Sequence, residues 1–452
     1  MKTVARAIVP VLLCSLLLIS SCKTDFKPAE VNSGFAVFSY PLYLGSDFMS
    51  GFTDGALSNA GQRNSIPYLF NQQLNKNGIK TVYNQHFVAM NNGYGLNFPA
   101  TQPKFYTSFH LGYKTDCMNI NSLFPLHDSI NINDVSLNNE LIYYQTGAYY
   151  SVMGIPYAKI ADYTDSSMGI PGGKSPYYPQ LASFQSQSYI LGDALAQPFT
   201  FFLLWAGMED VFNYALRGGE IDSITDFNTF DTQFDIVLDN LLSSSQGAHG
   251  VVANIPDLDV FPFFTTVPWN GMVLTDSQAN ALKVSPFGFL GYEVGPNGFI
   301  IYDPTVTPIP YRKMTADEYV LLTVNTDSLK CNNVGVLDSI PPHYVLDHFE
   351  VVKINAAIAH FNAKIKAAAT AHNIPVVDMN SFFRKVKNGY YYNGIFFSSE
   401  FIKGAFFSLD GYHPTAQGYG LLTNEFIKTI NSFYHSNIPL VDVTRLPGII
   451  FP

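Results

Sequence analysis

Residues 45–55 read GSDFMSGFTDG, a small and polar turn that directly follows the apolar run Leu42-Tyr43-Leu44. Short apolar runs bounded by such turns are typical of strands that are buried on both faces of a sheet. Residues 199–205 (FTFFLLW) and 374–377 (IPVV) form two further runs of this kind. The sequence therefore predicts that a polar motif occupies the loop after a buried strand.

Two helices are predicted from apolar residues that recur every three or four positions. The first pattern comprises Val351, Ile354, Ile358, Phe361, Ile365 and Ala368, and the second comprises Leu422, Phe426, Ile430 and Phe433. Asp347 is placed to cap the first helix, and Asn373-Ile374-Pro375 ends its pattern. A helix that runs into a short apolar strand is the αβ unit of a parallel sheet. The predicted fold class is α/β.

Composition narrows the classes of partner and cofactor. The chain of 452 residues has a formal net charge of −10 and no basic cluster, which argues against nucleic acid as a partner. There is no CxxC motif and no Cys/His cluster, so we expect no structural zinc and no cofactor. Aromatic residues make up 15% of the chain. They fill a large core or form a surface that faces sugar or lipid, and the core is the favoured interpretation.

The first residues have the features of an export signal. Lys2 and Arg6 precede an apolar run, Ala7 to Ile19, that is too short to span a bilayer. The run ends in Ile19-Ser20-Ser21-Cys22, which resembles a bacterial lipobox with Cys22 as the acylated residue. The alternative is an ordinary secretory signal. Lipid on Cys22 would anchor the protein to a membrane of the cell envelope, in the outer membrane on its periplasmic or surface face.

Four segments, in this order, resemble the motifs of the SGNH (GDSL-type) ester hydrolases. They are Gly45-Ser46-Asp47, residues 154–162 (GIPYAKIAD), residues 207–210 (GMED) and residues 410–414 (DGYHP). Further stretches resemble long Bacteroidetes lipoprotein members of that family: 54–57 (DGAL), 61–67 (GQRNSIP), 264–268 (FTTVP), 319–323 (YVLLT) and 327–331 (DSLKC). The resemblance implies a three-layer flavodoxin-like fold with a parallel central sheet.

The resemblance also divides the chain. We expect a signal peptide at 1–21, a tether at 22–33, an SGNH-hydrolase-like domain at 34–435 and a tail at 436–452. Residues from about 243 to 345 are rich in Pro, Gly and Asn and predict an irregular or β-containing insertion over the site. Cys117 and Cys331 form one disulfide or stay free, which the sequence leaves open.

The first motif departs from the family at the nucleophile. The family has glycine, Asp or Asn, and then the attacking serine, whereas here Ser46 holds the second position and Asp47 the third. Attack on an ester by a carboxylate would give an anhydride, for which the family's site is not built. Ser46 and Ser50 are the alternative nucleophiles.

The second and third motifs depart at the oxyanion hole. Tyr157 stands where the family has a glycine whose N–H donates to the oxyanion, and a tyrosine is strained there if the position needs positive φ. Glu209, two residues after Gly207, replaces an asparagine whose amide is another donor. An ionised glutamate has no donor and would repel a developing oxyanion.

The fourth motif keeps the family's pattern. His413 would be the general base and Asp410 would orient it. If the motifs meet, one imidazole lies among the carboxylates of Asp47, Glu209 and Asp410, and its pKa rises until it is a poor base. Such a cluster can also hold a divalent cation or a cationic ligand group, but our prediction is a site without metal.

Three functions compete at this stage. The first is an impaired family member that binds acylated glycan or lipid in the former cleft. The second is an active serine esterase that uses Ser46 or Ser50 with His413 and Asp410. The third is a glycan-binding surface lipoprotein. Whether the chain is an enzyme stays open.

Overall fold

The computed structural model describes residues 31–97, 104–131, 133–134, 150–171, 173–184, 187–244 and 249–452. The predicted signal segment, Cys22 and most of the predicted tether lie outside these residues. Within the described residues, no helix combines the length and the apolar character needed to cross a membrane.

Five parallel strands form the central sheet. They are β1 (Pro41–Gly45), β2 (Val152–Gly154), β3 (Phe201–Trp205), β4 (His249–Ala253) and β5 (Val376–Val377). Their order across the sheet is β5-β4-β3-β1-β2. The three apolar runs of the sequence correspond to β1, β3 and β5, which confirms the prediction of an α/β fold with a parallel sheet.

The register of the sheet aligns the carboxyl ends of its three site-bearing strands. Gly45 at the end of β1 lies opposite Gly154 of β2 and Trp205 of β3. The loops after these strands therefore leave the same edge of the sheet side by side. In open α/β sheets this edge is where ligands bind.

Helices flank the sheet. The described α-helices are Asp47–Ser50, Asn59–Gln62, Ile66–Lys76, Ile190–Leu195, Glu209–Ala215, Phe227–Ser244, Pro262–Thr265, Asp276–Lys283, Thr326–Cys331, His348–Ala371, Met379–Lys387 and Ala416–Tyr434. The two helices predicted from periodicity are His348–Ala371 and Ala416–Tyr434. Asp347 caps the first of them by accepting from the backbone N–H of Glu350 at 2.8 Å, and the Glu350 carboxylate accepts from the N–H of Asp347 at 2.9 Å.

The insertion before helix His348–Ala371 starts later than the sequence indicates. The sequence analysis placed the start of the insertion at about residue 243, but residues 249–253 form β4 of the central sheet, between β5 and β3. Three consecutive apolar residues, Val251 to Ala253, among Pro, Gly and Asn are too short a signal to separate a buried strand from a loop. The insertion proper contains short antiparallel pairs around a second apolar cluster that includes Ile300, Ile301 and Val320.

A second insertion, which the sequence analysis did not anticipate, lies between β1 and β2. Its described strands are Gly95–Asn97, Lys104–Tyr106, His110–Thr115, Asn121–Leu126 and Ser129–Ile130. Half of the residues in the hairpin of His110–Thr115 and Asn121–Leu126 are exposed, without regular alternation, and the hairpin lacks a strong apolar pattern. Its register is held by backbone pairing rather than by a core of its own.

The residues after 435 pack onto the domain. Ile438, Val441 and Val443 are buried, and Val441 exchanges hydrogen bonds of 2.7 and 3.0 Å with the Asn424 side chain. The chain end, residues 447–452, is thereby held close to the loops at the carboxyl edge of the sheet.

Cys117 and Cys331 form a disulfide that joins the two insertions. Ion pairs flank it on both sides, Lys114 with Asp327 at 3.3 Å and Lys330 with Asp116 at 2.9 Å. The bond spans 214 residues of chain, so it removes much conformational freedom from the unfolded state.

Loss of this disulfide should destabilise the protein. We expect the Cys117→Ser/Cys331→Ser variant to have a free energy of unfolding lower by about 2–5 kcal/mol, as measured by urea denaturation under oxidising conditions. Lys114→Ala is the matched control, since breaking an exposed ion pair changes stability by less than about 1 kcal/mol. A double variant as stable as the wild type would contradict the bond.

Candidate active site

Ser46 and Asp47 are positioned by the tight end of β1. A side chain at Gly45 would come within 2.3 Å of the Met49 side chain and 2.6 Å of the Trp205 carbonyl oxygen, so only glycine fits. The chain then turns at once into the short helix Asp47–Ser50. The side chains of Ser46 and Asp47 are both buried at the carboxyl edge of the sheet.

The Asp47 carboxylate is held between two partners. Its Oδ1 accepts a hydrogen bond of 2.6 Å from the backbone N–H of Tyr157, and its Oδ2 lies 3.1 Å from Nε2 of His413. The family resemblance assigns this backbone N–H to the substrate oxyanion and this ring nitrogen to the nucleophile. In this protein the Asp47 carboxylate takes up both hydrogen-bonding positions.

His413 is fixed on its other side by Asp410. The Nδ1 atom of His413 lies 2.9 Å from Oδ2 of Asp410, whose Oδ1 accepts from the backbone N–H groups of Tyr412 and His413 at 2.8 Å each. The backbone N–H of Gly55 donates to Oδ2 at 2.7 Å and so ties this loop to the end of the 45–55 turn. The imidazole consequently lies between the buried carboxylate of Asp47 and the carboxylate of Asp410, whose side chain is 11% exposed.

This arrangement favours an imidazolium at His413. Burial alone would lower its pKa, but the charges and hydrogen bonds of Asp410 and Asp47 outweigh burial and raise the pKa to about 10. Burial also opposes ionisation of Asp410, whereas His413 and the two backbone donors hold the pKa of that carboxyl below its ordinary value. A protonated ring cannot accept a proton from a nucleophile.

Tyr157 adopts the left-handed backbone conformation, with φ at +64°. A tyrosine is strained there, because its Cβ crowds the backbone as a glycine would not. Its ring packs against Phe52 and Tyr177, with centroids 5.7 and 5.9 Å apart, and its carbonyl accepts from the Asn213 amide at 3.0 Å. These contacts hold the loop so that the N–H points at Asp47.

Ser46 and Glu209 form a second buried pair. The Ser46 hydroxyl donates to Oε1 of Glu209 at 2.8 Å, while Oε2 has no hydrogen-bond partner among the described residues. Burial, with Asp47 close by, raises the pKa of Glu209 well above its ordinary value. The sequence analysis treated Glu209 as an anion, but its surroundings favour the neutral acid.

Neither alternative serine is directed at the imidazole. Ser46 donates to Glu209, and the Ser50 hydroxyl donates to the backbone oxygen of Asp47 at 2.8 Å. Gly207 has φ at +100° and takes the chain from β3 into the helix that begins at Glu209. The four motifs thus meet, and the histidine's outer nitrogen faces a carboxylate rather than a hydroxyl.

A cavity of about 160 Å³ opens beside this network and is reached by Asp410 and His413. Aromatic side chains dominate its wall: Phe52, Tyr106, Phe109, Tyr157, Phe263 and Tyr412. We name it the apolar pocket. The hairpin insertion supplies Tyr106 and Phe109 and the later insertion supplies Phe263, so the disulfide joins the two segments that wall it.

Several lining residues escaped the sequence analysis. Tyr106, Phe109 and His127 come from the unpredicted insertion, and Arg217 follows the helix that begins at Glu209. The Arg217 guanidinium pairs with Asp222 at 3.1 Å, a carboxylate that also binds Lys159. No motif marks these positions. Only the high aromatic content of the chain hints at such a wall.

Among the described residues, no group of three or more His, Cys, Asp or Glu side chains is arranged to hold a metal ion. At the site, the carboxylates of Asp47 and Asp410 both bond to His413. The Ser46 hydroxyl bonds to Glu209.

Comparison with known proteins gives one match. Residues 310–426 match the family model of the GDSL-like lipase/acylhydrolases, and the matched segment contains Asp410 and His413. No curated protein and no solved structure matches the chain significantly. The parallel sheet, the order of the motifs along it and this match agree with one another. Residues 310–426 therefore belong to a GDSL-like lipase/acylhydrolase domain of the SGNH superfamily.

Proposed function

We propose that this protein is a non-hydrolytic member of its family that binds an acylated glycan or a lipid in the apolar pocket. One observation carries the proposal: the Asp47 carboxylate bridges the Tyr157 N–H and His413 Nε2. A substrate carbonyl would need the first position and a nucleophile the second. Both are filled from within the chain.

Electrostatics at the site support the same conclusion. His413 is charged at neutral pH, because its pKa is raised to about 10. The hydroxyl of Ser46 is already committed to Glu209. The described site thus has neither a free base nor a directed nucleophile.

The size and lining of the apolar pocket suggest the ligand class. Its volume of about 160 Å³ is below the roughly 300–1,000 Å³ of drug-sized sites. A short acyl group fits such a space better than a long lipid tail. Six aromatic rings around it offer apolar contact without a fixed requirement for charge.

Reaction with a fluorophosphonate, which labels activated serines, tests the loss of hydrolysis. We expect the purified protein to remain unlabelled and to hydrolyse short-chain nitrophenyl esters no faster than its Ser46→Ala variant. Labelling that Ser46→Ala abolishes would instead establish the serine esterase.

We also propose that lipid on Cys22 anchors the protein to a membrane of the cell envelope. The support is the sequence Ile19-Ser20-Ser21-Cys22 after an apolar run that follows Lys2 and Arg6. We expect metabolic labelling with an alkyne fatty acid to modify the wild type, and Cys22→Ala to remove the label and release the protein into the soluble fraction. Cys14→Ala is the control and should keep the label. Membrane retention of an unlabelled Cys22→Ala variant would contradict the anchor.

A further inference from the structure

A second, larger pocket adjoins the apolar pocket on the far side of Thr107 and Phe109, which line both. Its volume is about 670 Å³. It lies between the 45–64 segment, the hairpin insertion and the chain end at residues 447–452. We name it the polar pocket, because it exposes more polar surface than the apolar pocket does, although apolar atoms still form most of its wall.

Some of these polar groups already serve the fold. The Ser58 hydroxyl accepts from the Gly61 N–H at 3.1 Å, and the Thr107 hydroxyl accepts from the Asp128 N–H at 3.0 Å. The Thr53 hydroxyl donates to the Pro414 carbonyl at 2.8 Å. These bonds fix the positions of the three hydroxyls in the wall of the pocket.

Three others are available. The side chains of Asn91, Asn92 and Asp128 are on exposed residues and make no side-chain hydrogen bond within the described part of the chain. The backbones of two of them are tied to one short segment: the Ser108 N–H donates to the Asn92 carbonyl at 2.8 Å, and the Thr107 N–H donates to the Asp128 carbonyl at 3.0 Å. The backbones of Asn92 and Asp128 are therefore held close together, so that mainly the side chains need ordering on binding.

The hydrogen-bonding groups of Asn91, Asn92 and Asp128 indicate which class of ligand this pocket would bind. An asparagine amide both donates and accepts, which matches a hydroxyl group, itself a donor and an acceptor. The described lining of the polar pocket includes the exposed carboxylate of Asp128 and no lysine or arginine, whereas burial raises the pKa of the Asp54 carboxyl to about 7. An anionic group would meet negative charge there without a counterion.

We propose that the polar pocket is a binding site for an uncharged saccharide whose short acyl substituent enters the apolar pocket past Thr107 and Phe109. The acyl part rests on the function proposed above, whereas the saccharide part rests on the polar pocket alone. The ligand is thus a neutral, acylated sugar rather than a phospholipid or an acidic glycan.

Calorimetric measurement of the binding of four small probe molecules separates the contribution of the saccharide from that of the acyl chain. Hexyl β-glucoside contains both a sugar and a hexyl chain. Methyl β-glucoside contains the sugar without that chain, and 1-hexanol contains the chain without the sugar. Hexyl sulfate joins the chain to an anionic group. We expect hexyl β-glucoside to bind at least about tenfold tighter than 1-hexanol, because two or three added hydrogen bonds contribute on the order of 1.4 kcal/mol. Hexyl sulfate should bind no tighter than 1-hexanol.

Substitutions in the polar pocket test whether the sugar of hexyl β-glucoside binds there. Asn91→Ala/Asn92→Ala, and separately Asp128→Ala, should reduce the affinity for hexyl β-glucoside by about tenfold and leave that for 1-hexanol unchanged. Asn228→Ala is the matched control, since Asn228 is exposed and lines neither pocket. Equal binding of hexyl β-glucoside and 1-hexanol, or glucoside binding insensitive to all three side chains, would overturn the saccharide site. Binding of methyl β-glucoside that needs Asn91 and Asn92, without binding of 1-hexanol, would keep that site and contradict the acyl pocket.

Discussion

The Asp47→Ser/Glu209→Asn variant is expected to hydrolyse short-chain nitrophenyl esters at least about 10²-fold faster than the native protein, since a single oxyanion donor is worth about 10²–10³ in rate. Serine at position 47 would place a hydroxyl where Asp47 Oδ2 now lies, 3.1 Å from His413 Nε2. The Tyr157 N–H would be released to a substrate oxyanion. Asparagine at position 209 would add an amide donor.

The matched control removes the carboxylate without supplying a nucleophile. Asp47→Ala/Glu209→Asn also frees the Tyr157 N–H and lowers the pKa of His413, but has no hydroxyl at position 47. It should stay at the native rate and remain unlabelled by a fluorophosphonate. Equal activity in both variants would show that position 47 is not the nucleophile position.

The second large effect is a loss of stability at alkaline pH. The pKa of His413 is raised in the folded protein from 6.5 to about 10, so its ion pairs stabilise the fold fully below pH 6.5 and are lost as the pH rises through 10. The raised pKa of Glu209 acts in the same direction, because ionising that buried acid disfavours the fold. We expect the free energy of unfolding to fall by on the order of 4 kcal/mol between pH 6.5 and 10, at about 1.4 kcal/mol per pKa unit.

Asp47→Asn tests the origin of this pH dependence. The amide keeps the shape of the side chain and removes one of the two carboxylates on His413, so the decline should still begin near pH 6.5 but end at a lower pH and be smaller. At pH 6.5 the variant should itself be less stable by about 3–5 kcal/mol, as for a broken buried ion pair. Urea denaturation at a series of pH values measures both effects. An unchanged pH profile in Asp47→Asn would rule out this network as the cause.

The sequence was sufficient to predict the elements with a regular pattern. Helix His348–Ala371 has an apolar residue at nearly every third or fourth position and a capping aspartate, and β1 and β3 are uninterrupted apolar runs. By contrast, β4 has only a short apolar run inside a Pro- and Gly-rich stretch. The hairpin of the second insertion has little apolar alternation, since half of its residues are exposed and only Leu111 is buried.

The sequence predicts which residues form the candidate site, but it predicts less well their hydrogen bonds and their protonation. Motif spacing along the chain indicates which loops meet, because parallel strands end at one edge of the sheet. It does not indicate that the Ser46 hydroxyl turns to Glu209, since that contact depends on where two loops lie in space. Nor does it reveal that burial favours a neutral Glu209, because desolvation is a property of the folded environment.

The most direct test of the account is the protonation state of His413 at pH 8, observed from the ¹⁵N chemical shifts of its ring nitrogens by NMR, with His413→Gln used to assign the signal. An imidazolium bridging Asp47 and Asp410 predicts that both nitrogens still carry protons at pH 8 and release one only near pH 10. A neutral ring at pH 8, titrating near its ordinary pKa, would contradict the carboxylate bridge and would restore His413 as a general base.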